Sequence, residues 1–192
     1  MVLCQTIPNI TMFAPSSIQE LPEMLATALS LQGPSVIRFP KGAARQVPPE
    51  EVGSGLNAKL WRRSESREVA LIGVGKMLIA ALAAADILAE EGIEATVWDP
   101  RVVKPLDQAM LDDAATHRLV VTIEDGYRTG GIGSTIAAAL GELKDDAPAV
   151  VTLGIPDAYV AQAKPDAIHK RLGLDGAGVA TTVRTALAAS PA

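Results

Sequence analysis

The sequence predicts an α/β fold: a mostly parallel sheet with one antiparallel edge strand and helices on both faces, preceded by a βαβ fragment. Three observations point to it. Short apolar runs rich in β-branched residues alternate with segments of helical period, and the links between them are short. The clearest run, Leu119 to Ile123 (LVVTI), is apolar without a break, as strands covered on both faces are. It passes through a turn containing Gly126, Gly130, Gly131 and Gly133 into an alanine-rich helix from Ser134 to Leu140, which is the strand, turn and helix of a crossover unit. The carboxyl end of such a strand is where α/β domains place ligands or subunit contacts.

The elements follow in order. Ile10 to Phe13 reads as a short strand ending at Pro15, and Ser16 or Ser17 is placed to cap a helix from Ile18 to Leu31. Pro22 falls in its first turns, where a missing N–H is tolerated. Gln32, Gly33 and Pro34 stop that helix, and Ser35 to Phe39 (SVIRF) is a second strand closed by Pro40, Lys41 and Gly42. This single βαβ unit buries too little surface to stand alone. The stretch Ala43 to Gly55, with Pro48, Pro49, Gly53 and Gly55, reads as a linker. Leu56 to Arg63 is a charged edge strand expected to form an antiparallel hairpin with Val69 to Val74.

Beyond that hairpin, Lys76 to Glu91 repeats Leu78, Leu82, Ala85 and Leu88 at helical spacing and is capped by Gly92. Ala95 to Trp98 is a strand, the residues from Asp99 to Pro105 a loop, and Asp107 caps a helix that ends near His117. Ala149 to Leu153 is a further strand, and Gly178 to Ala189 the last helix.

The totals exclude several functions. A net charge of −5 and an aromatic content of 3% argue against a polyanion partner, so nucleic acid is not expected. The single Cys4 forms no internal disulfide and fits a reducing, cytoplasmic setting. His117 and His169 lie too far apart in sequence for a ligand-spaced metal cluster and read as helix-end residues. No apolar run is long enough to cross a bilayer, and Met1 begins no recognisable signal peptide.

Few residues are placed for chemistry. IGVGKM (Ile72 to Met77) lacks the Ser or Thr of a phosphate loop and the third glycine of a dinucleotide fingerprint, so Gly73 and Gly75 read as turn glycines. Glu124 and Asp125 are adjacent on a strand and point to opposite faces, poor geometry for an acid–base pair; one of them is expected to cap the glycine turn or face an interface. Arg38 is different. Held at a strand end beside Pro40 and Lys41, its guanidinium suits bidentate capture of a phosphate or carboxylate, although a surface ion pair explains it equally.

Taken together, IPNITMFAPSSIQELPEMLATAL, GPSVIRFPKG, DPRVVKPLD, TIEDGYRTGGIGS, LGIPDAYVAQAK and RLGLDGAGV occur in the order seen in one family. The chain resembles the C-terminal part of the 1-deoxy-D-xylulose-5-phosphate synthases, thiamine-diphosphate-dependent transferases related to transketolase. The resemblance implies that residues 1–48 are the end of a pyrimidine-binding domain, 49–55 a linker and 56–192 a transketolase C-terminal domain. It implies a phosphate-binding role for Arg38 and, where many members carry a second arginine, for Lys41. It also implies thiamine diphosphate and Mg²⁺ in the parent enzyme, which condenses pyruvate and glyceraldehyde 3-phosphate with loss of CO₂.

The Gly-Asp-Gly metal motif of the family is missing from this sequence. The chain alone is therefore expected to hold no cofactor, to carry no catalytic residue and to be inactive. Its expected partners are a second copy through the loop from Glu124 to Gly133, or a missing N-terminal half. Transketolase itself, the β subunit of a 2-oxo acid dehydrogenase and a stand-alone interaction module are the other readings of the same fold.

Overall fold

The computed structural model describes residues 1–42, 44–143 and 146–189. Ala43, the first residue of the expected linker, and residues 190–192 of the expected C-terminal domain lie outside them.

After a single helical turn, α1 (Val2–Gln5), the first unit forms as expected: β1 (Thr11–Phe13), α2 (Glu20–Ser30) and β2 (Ser35–Ile37), with β1 and β2 parallel. The helix starts later than its serines suggested, because Glu20 turns back on them. Its Oε2 accepts from Ser16 N and Ser16 Oγ, while Ser17 Oγ accepts from Glu20 N, a reciprocal cap.

The second unit contains β3 (Lys59–Arg62), β4 (Val69–Gly73), α3 (Leu78–Glu90), β5 (Ala95–Asp99) and β6 (Val102–Lys104). It continues with α4 (Gln108–Ala114), β7 (Leu119–Tyr127), α5 (Ile132–Leu143), β8 (Ala149–Ile155), α6 (Pro165–Arg171) and α7 (Gly176–Ala189). Asp107 caps α4 as expected, accepting from Ala109 N and Met110 N.

A five-stranded sheet runs β3-β5-β4-β7-β8, parallel except for β3 at its edge. Side chains alternate along β4. Val69 and Leu71 enter a core with α3 and α7, and Ala70 and Ile72 enter another with α4 and α5, so helices cover both faces.

Two expectations are corrected. The edge strand β3 pairs with β5 and not with its sequence neighbour β4. Every residue of β4 is buried between two parallel neighbours, whereas β3 carries Lys59 and Arg62 and is partly open to solvent, which suits only an edge. The loop after Asp99 contains β6, which runs antiparallel to β1 and makes a three-stranded sheet, β2-β1-β6. The first unit thus leans on the rest of the chain through a strand too short to show a period. The helix α6 has no expected range, since its polar sequence PDAIHKR gives no apolar stripe, although His169 does lie in its last turn, the helix end expected of it.

The turn after β4 is tight. Gly75 has φ +56°, and a Cβ on Gly73 would stand 2.6 Å from Leu78 Cα and 2.8 Å from Leu78 N, both backbone atoms. Gly73→Ala is therefore expected to cost about 1–3 kcal/mol, read as a lower urea midpoint with an unchanged m-value; an unshifted midpoint would refute the close approach.

Candidate functional site

In the five-stranded sheet β4 and β7 are neighbours, yet the helices that follow them, α3 and α5, pack on opposite faces. Chains diverging in this way leave a crevice at the carboxyl ends of the two strands, the usual ligand position in an open α/β sheet. The strand ends are tied together there by Val74 N donating to Ile123 O at 2.9 Å.

The crevice gathers charge from both units. Asp125, at the end of β7, forms an ion pair with Arg38 from the turn after β2, and Arg38 Nη2 also donates to the Asp125 carbonyl at 3.3 Å. Lys76 Nζ, from the turn after β4, lies 3.4 Å from Asp125 Oδ2. One carboxylate is therefore shared by two cations.

Glu124 turns the other way, as alternation along a strand requires. It is buried, its Oε1 accepts from Gly133 N at 2.9 Å, and the Ile132 amide supports it too. Burial holds its carboxyl above the usual range, and among the described residues Oε2 has no hydrogen-bond partner. The acidic pair is thus not a dyad; Glu124 caps α5 and Asp125 binds cations.

Beside the crevice runs a groove of about 620 Å³ between the two units. Ser16, Ile18, Phe39 and Lys41 line it from the first unit, and Lys76, Ile79 and His169 from the second. Lys41 is exposed on this lining, whereas Arg38 is engaged by Asp125. The two residues singled out for phosphate thus share a turn but have different surroundings. In the structure Arg38 stands in an ion pair, with a side chain that is 29% exposed.

The histidines separate. His117 is buried at the far end of the sheet, its Nε2 2.9 Å from Thr96 Oγ1 and its Nδ1 3.0 Å from the Asp113 carbonyl. Nδ1–H therefore donates to the carbonyl and Nε2 accepts from the hydroxyl, and burial pushes the imidazole pKa down. It is a structural residue. His169, in the last turn of α6, reaches the groove, and there too burial lowers its pKa, followed by the charge of Lys76. Sequence reading missed Lys76 and His169 as members of one site. The position of Lys76 straight after the glycine turn of a strand was the available signal; His169 was legible as a helix-end residue, but nothing local places that helix end against the turn after β4.

This arrangement, a parallel sheet with an antiparallel edge and a cation-bearing crevice facing a βαβ unit, contains the fold of a transketolase-type C-terminal domain. Residues 58–179 match the transketolase C-terminal domain, and the chain belongs to that family. Its similarity within the family is to 1-deoxy-D-xylulose-5-phosphate synthases. The enzyme of Magnetococcus marinus is 36% identical over 190 residues, covering 95% of this chain and 30% of its own length. The synthase 1 of Kitasatospora griseola is 40% identical over 179 residues, covering 92% and 27%. The chain thus spans about three tenths of the length of these relatives.

Among solved structures, a split gene transketolase in an inactive beta4 tetramer superposes with a TM-score of 0.87 at 28% identity, over 97% of this chain and 61% of that one. Transketolase from Campylobacter jejuni gives a TM-score of 0.73 at 17% identity, over 94% and 27%, a likeness of fold alone.

Proposed function

We propose that this chain is the C-terminal part of a 1-deoxy-D-xylulose-5-phosphate synthase and serves the condensation of pyruvate with glyceraldehyde 3-phosphate. The reading rests on identity of 36–40% to such synthases along nearly the whole chain. In this reading residues 1–48 end a pyrimidine-binding domain, 49–55 link, and 56–192 form the C-terminal domain. Arg38 and Lys41 hold the substrate phosphate, with Arg38 exchanging Asp125 for the phosphate oxygens. The setting is cytoplasmic; among the described residues no helix is long and apolar enough to cross a membrane.

Thiamine diphosphate and Mg²⁺ do not fit the residues of this chain by themselves. The sequence has no Gly-Asp-Gly, and the described residues offer no group of three His, Cys, Asp or Glu suited to a metal ion. The cofactor is therefore assigned to other segments of the parent, and the role of this chain to structure and to substrate binding. A second copy, or a separate chain supplying the other half, completes the enzyme; the inactive tetramer of the split gene transketolase supports a division of this kind.

The purified chain is expected to bind no thiamine diphosphate with Mg²⁺ in calorimetric titration and to form no 1-deoxy-D-xylulose 5-phosphate. Turnover by the 192-residue chain alone would refute the assignment. In a polypeptide joining this chain to the N-terminal part of a related synthase, Arg38→Met is expected to raise KM for glyceraldehyde 3-phosphate by about 10- to 100-fold, the loss of a charge-assisted phosphate contact. An unchanged KM would leave Arg38 as a structural ion pair.

A further inference from the structure

The groove between the two units has features that a sugar phosphate does not use. Ile18, Phe39 and Ile79 are 46%, 58% and 51% exposed, and all three line it. Scattered exposed apolar residues are ordinary, but convergence on one concavity is a mark of binding. The volume of about 620 Å³ is that of a small-molecule site, in which apolar walls carry a few polar groups.

Those polar groups favour an anion. Among the described residues Lys76 pairs with Asp125 alone, whose carboxylate also pairs with Arg38, so its charge is incompletely answered. His169 stands near it and offers ring nitrogens for hydrogen bonds. Of the two acidic residues on the lining, Asp175 is occupied by capping α7 through Gly178 N at 2.9 Å, and Asp166, in the first turn of α6, lies near enough for its charge to act on His169 but forms no ion pair with Lys76 among the described residues. Arg45, also on the lining, pairs with Glu51 and stacks on Trp61.

We infer that the groove binds a small amphipathic anion, its hydrocarbon body against Ile18, Phe39 and Ile79 and its acidic head on Lys76 and His169. The occupant follows from the pairing of an apolar wall with an under-neutralised cation. Neither Arg38 nor Lys41 is needed to hold it.

Two dyes test this in the purified chain by fluorescence titration. 1-Anilinonaphthalene-8-sulfonate carries the anionic head, and N-phenyl-1-naphthylamine is the same aromatic body without it. Lys76→Met is expected to weaken the sulfonate dye about ten-fold and to leave the uncharged dye unchanged. Ile79→Glu, at an exposed position that does not threaten folding, is expected to weaken both, whereas Leu29→Glu, at a site 79% exposed and not on the lining, is expected to weaken neither.

An equal effect of Lys76→Met on the two dyes, or none on either, overturns the inference, as does loss of binding in Leu29→Glu. Dye binding that falls with rising chain concentration in step with dimer formation in sedimentation would put a second copy in the groove and overturns it as well. No sugar phosphate or thiamine diphosphate enters the titration, so its outcome is separate from that of the proposed function.

Discussion

Arg101→Met is expected to destabilise the chain by about 3–5 kcal/mol, the cost of leaving the buried carboxylate of Glu20 and the part-buried one of Glu23 without their cation. Arg101 is fully buried between β5 and β6. Its Nε meets Glu20 Oε1 at 2.7 Å and its Nη2 meets Glu23 Oε2 at 3.0 Å, both on α2. Nη1 donates to the carbonyls of Ser54 and Asn57 at 3.1 and 2.7 Å. One guanidinium thus clamps the first unit, the connecting segment and the five-stranded sheet. The segment read as a linker is held by it at Ser54, and Gly53 is needed for the approach, since a Cβ there would lie 2.2 Å from Arg101 Nε. Urea unfolding followed by Trp61 and Trp98 fluorescence reads the loss. Adding Glu20→Gln to Arg101→Met is expected to recover part of it by removing one unpaired charge. A loss below about 1 kcal/mol, the range of exposed pairs, would show that the clamp is not a buried ion pair.

Asp99→Asn is expected to flatten the acid side of the stability profile. Asp99 is fully buried, its Oδ1 accepts from Arg101 N at 2.9 Å, and the Ser16 side chain stands beside its carboxyl. Burial, and then the charge of Glu20, push its pKa up from 3.8 to about 7. The folded state therefore binds this proton more tightly than the unfolded chain. The stabilisation is fully present below the unfolded value of 3.8 and is lost as pH rises through about 7. Within that window stability falls by up to about 1.4 kcal/mol per pH unit. Asn at this position keeps an acceptor for Arg101 N and does not titrate, so unfolding midpoints measured from pH 4 to 8 lose this slope. An unchanged slope in Asp99→Asn would mean that Asp99 is ionised throughout.

These two residues show what kind of feature the sequence hides. The stretch DPRVVKPLD contains both, and it was legible only as a loop with a family likeness. That Arg101, with φ 53°, turns inward to Glu20 depends on eighty residues of intervening chain being folded. Lys76 was visible as the residue after a glycine turn, but its neighbour Asp125 comes from another strand and Arg38 from another sheet. Glu124 and Asp125 were separated correctly because alternation along a strand is local.

Periodicity, turn residues and caps thus determined by themselves the α/β class, the parallel central strands, the cap at Asp107 and the turn glycines, since each depends on residues within a few positions of one another. The ordered motifs determined the family. Tertiary structure alone decided that β3 pairs with β5, that β6 completes a sheet with β1, and that Arg38 meets Asp125. Strand order and buried ion pairs are set by which elements cover one another and exclude water, and neither leaves a period in the chain.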